Sequence, residues 1–213
     1  MSVMAKAPQE LPHTLGDGLV LRRANEDDVP RLQELIAASA RELCAPDYTS
    51  TQIERALGGA WAVDPQLIAD GTYFVVERRA EADDSGELVA CGGWSARSTL
   101  FGGETVTSGV RDDRWLDPAT DAARMRAYFV SPNVSRRGLG RLLLETSERA
   151  AEAAGFARTA LVATLTGVRL YERFHYVAME PIDFPLGRDG ATIRFVLMEK
   201  DLPSGSIGGA GEC

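Results

Sequence analysis

The segment Ala127–Arg141, AYFVSPNVSRRGLGR, has the residue types and spacing for binding phosphate groups. An apolar strand pattern leads into a glycine-containing turn, and an amphipathic helix pattern begins directly after it. The first N–H groups of a helix have no partner within it, and the helix dipole adds partial positive charge there. Gly138 and Gly140 leave room for a phosphate to approach the backbone. Three arginines surround the turn with positive charge: Arg136, Arg137 and Arg141.

These features predict a pyrophosphate site over residues 137–141, with a plain tight turn as the alternative. Two other nucleotide signatures are missing from the sequence. There is no GxxxxGK[ST] segment, which argues against a P-loop kinase. GxGxxG is also absent, because Gly138-Leu139-Gly140 supplies the first two glycines and the third is lacking.

Two segments of the chain resemble the GNAT superfamily of N-acetyltransferases. Ser135–Gly140, SRRGLG, is similar to the family's phosphate loop, Gln/Arg-x-x-Gly-x-Gly/Ala, between its fourth strand and third helix, although Ser135 replaces the usual Gln or Arg. Downstream, LYERFHY over 170–176 is similar to the family's L-Y-x-x-x-G-F segment, with His175 for Gly and Tyr176 for Phe. The resemblance covers residues 18–200 and implies acetyl-CoA as co-substrate, with no metal.

The resemblance also implies a set of cofactor-binding residues. The strand before the phosphate loop would line the pantetheine arm, with backbone groups of Phe129 and Val130 meeting the cofactor. The alternative is that Phe129 and Val130 are plain core residues, and one of these side chains must be, since strand neighbours point to opposite faces. The full set implied is Tyr128, Phe129, Val130, Arg136, Arg137, Gly138, Leu139, Gly140, Arg141 and Thr164.

Tyr171 matches the family's LY tyrosine, and the resemblance implies that it is the general acid. Attack on a thioester expels a thiolate, which a nearby phenol can protonate. The alternative is a tyrosine that only packs on an amphipathic helix. The general base is left open, because the phosphate-loop strand offers Arg124 and Arg126 but no carboxylate. Glu77, Glu104 and Asp113 are candidates that no motif places.

Three residues are candidates for binding the acceptor. Trp94 follows Cys91-Gly92-Gly93 on a predicted strand, where glycines leave space and an indole supplies a flat apolar wall. Close packing of the sheet explains the same pattern equally well. Tyr48 and Glu104 are further candidates to face the acceptor.

The elements that must position these residues follow from hydrophobic periodicity. The predicted order is strand, two helices, three strands, helix, strand, helix, two strands. This order predicts a mixed α/β fold, and the resemblance implies a central, mostly antiparallel seven-stranded sheet flanked by about four helices. We expect a flexible leader over 1–16, one acetyltransferase domain over 17–201 and a disordered Gly/Ser-rich tail over 202–213.

The composition argues against several other classes of function. The net charge of −8 argues against nucleic-acid binding, which needs clustered Lys and Arg. Three separated cysteines predict neither a disulfide framework nor a zinc site. The chain contains no apolar run of bilayer-spanning length and no signal peptide pattern, which predicts a cytoplasmic protein without membrane contact.

The function predicted from the sequence is direct transfer of an acetyl group from acetyl-CoA to an amine of a small molecule or protein. The Val130 N–H would polarise the acetyl carbonyl. A non-catalytic acyl-CoA sensor with the same fold is the alternative, and an unrelated α/β binding domain with a tight turn is a second. A homodimer is common in the family, so a homodimeric partner is possible here too.

Overall fold

The computed structural model describes residues 11–79, 86–102 and 113–203. Within these ranges the chain forms one eight-stranded sheet and five α-helices. The strands are β1 (His13–Gly16), β2 (Leu19–Arg23), β3 (Tyr73–Arg78), β4 (Glu87–Ser95), β5 (Ala123–Val130), β6 (Arg158–Thr164), β7 (Val177–Pro185) and β8 (Thr192–Asp201). The helices are α1 (Val29–Leu43), α2 (Ser50–Leu57), α3 (Pro65–Ala69), α4 (Leu139–Ala153) and α5 (Leu165–Arg173).

The strands lie in the order β1-β2-β3-β4-β5-β6-β8-β7. All neighbours are antiparallel except β5 and β6, which are parallel. The predicted mixed α/β fold with a mostly antiparallel sheet is therefore confirmed, with one strand and one helix more than expected. His13–Gly16, within the expected leader, pairs with β2, and Leu202, just after β8, is buried in the core.

Two hydrophobic cores form, one on each face of the sheet. Strand β3 shows how alternation supplies both: Tyr73 and Val75 point to the face covered by α1 and α2, whereas Phe74 and Val76 point to the face covered by α4. We call these the α1–α2 face and the α4 face. All four side chains are buried, as expected for strands in the middle of a sheet covered on both sides.

Local signals define the start of the helices on the α1–α2 face. A capping box at Thr49 and Gln52 starts α2: the Gln52 N–H donates to Thr49 Oγ1 at 3.2 Å, and the Thr49 N–H donates to Gln52 Oε1 at 3.0 Å. Asp64 caps α3 by accepting the Gln66 N–H at 3.1 Å. These caps fix the α1–α2 and α2–α3 connections, which lie beside the cavity described below.

A cluster of charges joins β2, β3 and the start of α1. Arg22 contacts Asp28 at 2.7 Å and Glu77 at 3.1 Å, and Arg31 contacts both carboxylates as well. The Asp28 and Glu77 side chains are only 0% and 6% exposed. The hydrogen bond from Arg22 lowers the pKa of Glu77 to about 2. Each carboxylate therefore depends on its arginine partners to remain charged inside the fold.

Replacing Glu77 by glutamine should reduce the pH dependence of stability. Because the pKa of Glu77 is lowered on folding, its stabilising contribution is complete above the ordinary carboxyl pKa of 4.5 and is lost as the pH falls toward about 2. We expect Glu77→Gln to cost about 2 kcal/mol of unfolding free energy at neutral pH, and less as the pH falls. Denaturant unfolding at several pH values measures this difference.

Glu54→Gln is the matched control, since Glu54 pairs with Arg41 at 2.7 Å on the surface, where both side chains are more than half exposed. Solvent screens such a pair, so its contribution to stability is small. Parallel pH profiles for wild type and Glu77→Gln would contradict a stabilising role for the Glu77 carboxylate.

Candidate functional site

The parallel pairing of β5 and β6 ends partway along the two strands. Ala123, Arg124 and Met125 pair with Thr159, Ala160 and Leu161, and the ladder stops there. Beyond this level, residues of both strands line a cavity of about 250 Å³. Parts of α1, α4 and α5 and the segments around 61 and 101 complete its walls. The sheet is thus split locally, and the split holds the cavity.

A β-bulge in β5 accompanies the separation. Gly93 pairs with Arg126 and Cys91 with Phe129, so β5 has one residue more than β4 in this interval. Ala127 takes the left-handed conformation, with φ +57°. The Tyr73 hydroxyl, from β3 on the far side of β4, donates to the Ala127 carbonyl at 3.2 Å and holds the bulge in place. Because bulges bend the strand that carries them, this one turns the end of β5 away from its regular course.

The last residues of β5 present backbone groups to the gap. The Ser131 N–H donates to the Val89 carbonyl at 2.8 Å. Antiparallel pairing alternates between bonded and non-bonded pairs, so the Val130 N–H at the next position points away from β4. It therefore points to the side where β5 and β6 are no longer paired. This is the group that the sequence predicts to polarise an acetyl carbonyl.

Tyr128 and Phe129 lie on opposite faces, as strand geometry requires. Phe129 belongs to the α1–α2 face and contacts Trp61 edge to face at 6.3 Å, whereas Tyr128 packs on the α4 face. Both line the cavity. Gly92 makes room for Tyr128, because a Cβ at position 92 would lie 2.3 Å from the Tyr128 ring. Of the two interpretations of the Cys91-Gly92-Gly93-Trp94 segment, close packing is the one that the structure shows at Gly92.

Gly92→Ala should therefore displace the Tyr128 ring. Overpacking at a closed position of this kind costs about 1–3 kcal/mol. We expect the unfolding free energy to fall by that amount. Tyr128→Ala should then cost less unfolding free energy in the Gly92→Ala variant than it does in the wild type, because removing the ring also removes the strained contact. Thermal or denaturant unfolding of the wild type, the two single variants and the double variant measures this double-mutant cycle. Additive losses would show that the methyl group and the ring do not meet.

The predicted phosphate loop leads directly into α4. Gly138 precedes the helix with φ +83°, and a Cβ there would meet nothing within 4 Å. The Leu142 N–H donates to the Gly138 carbonyl at 3.0 Å, so the N–H groups of Leu139, Gly140 and Arg141 precede this first bond of the helix. Gly140 lines the cavity, and a Cβ there would have ordinary contacts with Val130 and Leu170. The N-terminus of α4 therefore lies next to the cavity.

The arginines of the loop lie on the surface. Arg137 pairs with Asp17 at 3.4 Å and Arg141 with Glu145 at 2.7 Å, and both guanidinium groups are more than half exposed. Arg136 is exposed as well and has φ +63°. Exposed pairs of this kind are weak. The side chains can therefore exchange these carboxylates for another anion.

Tyr171 and Thr164 lie on the α5 side of the cavity. The Tyr171 ring contacts Gly167, where a Cβ would lie 3.1 Å from the ring, and meets Tyr176 edge to face at 5.9 Å. Burial raises the pKa of Tyr171 above its ordinary value, so the phenol keeps its proton at neutral pH. Thr164 caps α5 by accepting the Gly167 N–H at 3.1 Å. Both residues line the cavity.

The three predicted acceptor residues have different positions. Trp94 is buried on the α4 face against Phe156, at 6.0 Å, and does not line the cavity. Tyr48 is also buried outside the lining. Its hydroxyl donates to the Arg194 carbonyl at 2.7 Å and accepts the Leu165 N–H at 2.8 Å. Tyr48 thus holds the start of α5 against β8, and Glu104 lies outside the described residues.

Two of the candidate general bases also lie outside the cavity lining. Glu77 belongs to the charge cluster of β2 and β3, and Asp113 accepts a hydrogen bond from the Thr99 hydroxyl at 2.6 Å. Neither lines the cavity. Across the described ranges, no group of three or more His, Cys, Asp or Glu is placed to hold a metal ion. None of the helices in these ranges is long and apolar enough to cross a bilayer.

Sequence reasoning missed the residues that form the wall on the α1–α2 face. Trp61, Phe101 and Cys44 line the cavity from three segments distant in sequence, and no periodic pattern links them. Arg126 lines it as well, and its guanidinium contacts the buried Asp64 at 2.9 Å. The position of Arg126 within an apolar strand pattern indicates a buried ion pair, because a buried charge requires a partner of opposite charge.

The sequence and the fold both match known acetyltransferases. Residues 33–176 match the model of the acetyltransferase (GNAT) family. A GCN5-related N-acetyltransferase from Rhodopseudomonas palustris has a similar structure, with TM-score 0.61 and 19% identity over 89% of this chain and 99% of that chain. No curated protein has a significant sequence match to this chain.

Two further similar structures contain coenzyme A or its acetyl form. PaiA N-acetyltransferase from Thermoplasma acidophilum, solved with coenzyme A, has TM-score 0.55 and 13% identity over 86% of this chain and 99% of that chain. The protein yncA from Salmonella typhimurium, solved with acetyl-CoA, has TM-score 0.54 and 13% identity over 91% of this chain and 99% of that chain.

Proposed function

Because the chain belongs to the GNAT family of acetyltransferases, we propose that it transfers an acetyl group from acetyl-CoA directly to an amine of a small molecule or protein. The observation that carries this proposal is the cavity at the separation of β5 and β6, which adjoins the N-terminus of α4. The coenzyme complexes of PaiA and yncA, which share the fold, support the choice of acetyl-CoA.

The residues present fit this co-substrate. The N–H groups of Leu139 and Gly140 begin α4, and the open space at Gly138 admits a pyrophosphate close to the backbone. Arg137 and Arg141 add positive charge at the surface. The Val130 N–H, which points to the gap, can donate to the acetyl carbonyl. Acetyl-CoA would supply the acetyl group as an activated thioester.

Tyr171 is the group that we propose to protonate the departing sulfur. Its phenol lines the cavity and remains protonated at neutral pH because burial raises its pKa. A protonated donor is what the departure of a thiolate requires. The other phenol that lines the cavity, Tyr128, already donates to the Met125 sulfur at 3.5 Å. The Tyr171 hydroxyl has no such bond among the described residues.

The test combines binding and turnover. Calorimetric titration with acetyl-CoA should give micromolar affinity, and mass spectrometry should detect acetylated product when amines are added. Absence of acetyl-CoA binding at any reachable concentration would remove the proposed function. Tight binding without any acetylated product would favour the non-catalytic sensor instead.

A further inference from the structure

Aromatic and apolar side chains form the cavity wall on the α1–α2 face. Phe195 lies 6.1 Å from Trp61 and 5.5 Å from Phe101, ring centre to ring centre, and Cys44 lies on the same face. Burial raises the pKa of the Cys44 thiol to about 11, so this thiol is uncharged at neutral pH. The wall therefore offers apolar surface to whatever enters from this side.

The charges beside this wall are neutralised within the protein. Arg126 contacts Asp64 at 2.9 Å and donates to the Thr99 carbonyl at 3.0 Å, and both members of the ion pair are less than 5% exposed. Among the described residues that line the cavity, none is Asp, Glu or Lys. A second cation on the acceptor would therefore lose its hydration on this wall without gaining a carboxylate partner there.

We propose that the acceptor is an amine whose remaining part is apolar and uncharged, and that this part occupies the wall formed by Trp61, Phe101, Phe195 and Cys44. This inference rests on the proposed function, and it names the substrate class. An apolar tail gains free energy as its surface leaves water. A diamine has no such gain at its second, charged end.

The same wall favours reaction of the bound amine. An amine reacts as a nucleophile only when it is uncharged, and transfer into apolar surroundings favours the uncharged form. Desolvation can thus assist deprotonation in a cavity whose described lining contains no carboxylate. An apolar wall therefore favours both binding of an apolar acceptor and attack of its amine on the acetyl carbonyl.

Pentylamine and cadaverine form a matched pair of probes, because they have the same chain length and differ in one terminal ammonium group. We expect kcat/KM with acetyl-CoA to be at least about 10-fold higher for pentylamine. Calorimetry on the protein saturated with coenzyme A should show the same order of binding. Equal or stronger binding of cadaverine, or binding of neither amine, would overturn the inference while leaving acetyl-CoA binding intact.

Phe101→Asp tests the wall directly. A carboxylate at this position should reduce or reverse the preference for pentylamine, because it supplies the partner that the second ammonium group lacks. Val177→Asp, on the exposed part of β7, carries the same charge change outside the cavity and should keep the wild-type preference. The preference of the wild type decides the matter even if Phe101→Asp does not fold.

Two remaining outcomes are also decisive. If acetyl-CoA itself does not bind, the proposed function fails, and the acceptor class fails with it. If hexanoyl-CoA is preferred over acetyl-CoA while pentylamine has no advantage, the apolar wall holds an acyl chain, and the inference about the acceptor is overturned.

Discussion

Gly138→Glu is expected to weaken acetyl-CoA binding by at least about 100-fold, because it would place a carboxylate where the pyrophosphate approaches the start of α4. A Cβ at Gly138 meets no atom within 4 Å, so the new side chain fits without a clash and its charge remains at the helix N-terminus. A negative charge there would occupy the N–H groups of Leu139 and Gly140. Calorimetric titration of the variant with acetyl-CoA measures the loss.

Gly190→Glu is the matched control for this substitution. Gly190 has φ +80° against +83° for Gly138, and its Cβ position is equally open. Both variants therefore place glutamate in the left-handed region, at a similar cost of about 1–2 kcal/mol, and both add one negative charge. We expect both to lose similar thermal stability and only Gly138→Glu to lose affinity. Equal affinities would remove the phosphate loop from the proposed site.

Tyr171→Phe should lower kcat by roughly 10- to 1000-fold, the range for loss of a positioned proton donor. The substitution keeps the ring, and with it the contacts with Gly167 and Tyr176. Acetyl-CoA affinity should therefore change little, which separates the chemical step from binding. Steady-state kinetics together with calorimetry measure the two effects. An unchanged kcat would exclude Tyr171 as the proton donor.

Tyr176→Phe provides the comparison. Its hydroxyl lies 2.9 Å from both Thr159 and Glu148, and the residue does not line the cavity. Loss of this hydroxyl should reduce stability and leave kcat near the wild-type value. The alkaline side of the pH profile is also informative. Because burial raises the pKa of Tyr171, kcat should not fall through loss of its proton near pH 10, the ordinary value for a phenol.

The order of strands and helices could be predicted from the sequence because periodicity is a local property. The phosphate loop could be predicted for the same reason, since Gly138, Gly140 and the helix that follows are contiguous. The sequence places β1 in the leader, because its four residues, HTLG, carry too little pattern to reveal a strand. Its pairing with β2 depends on tertiary context.

The acceptor side could not be predicted in the same way. Trp94 lies on a strand as expected, but the choice between the two faces of that strand depends on what packs against each. Trp61 and Phe101 meet Phe195 only through the fold, since they come from connections far apart in sequence. Tyr48 was predicted to face the acceptor, and its two backbone partners, Leu165 and Arg194, lie more than 100 residues away.

The early end of the β5–β6 ladder has a consequence for amide exchange with solvent. A central strand normally exchanges its amide hydrogens slowly, because neighbours on both sides hold them. Here Ala123–Met125 should show that protection, whereas the Val130 amide, at the same sheet's interior, should exchange at the rate of an edge strand. Deuterium uptake at this one amide would then report when a ligand fills the split.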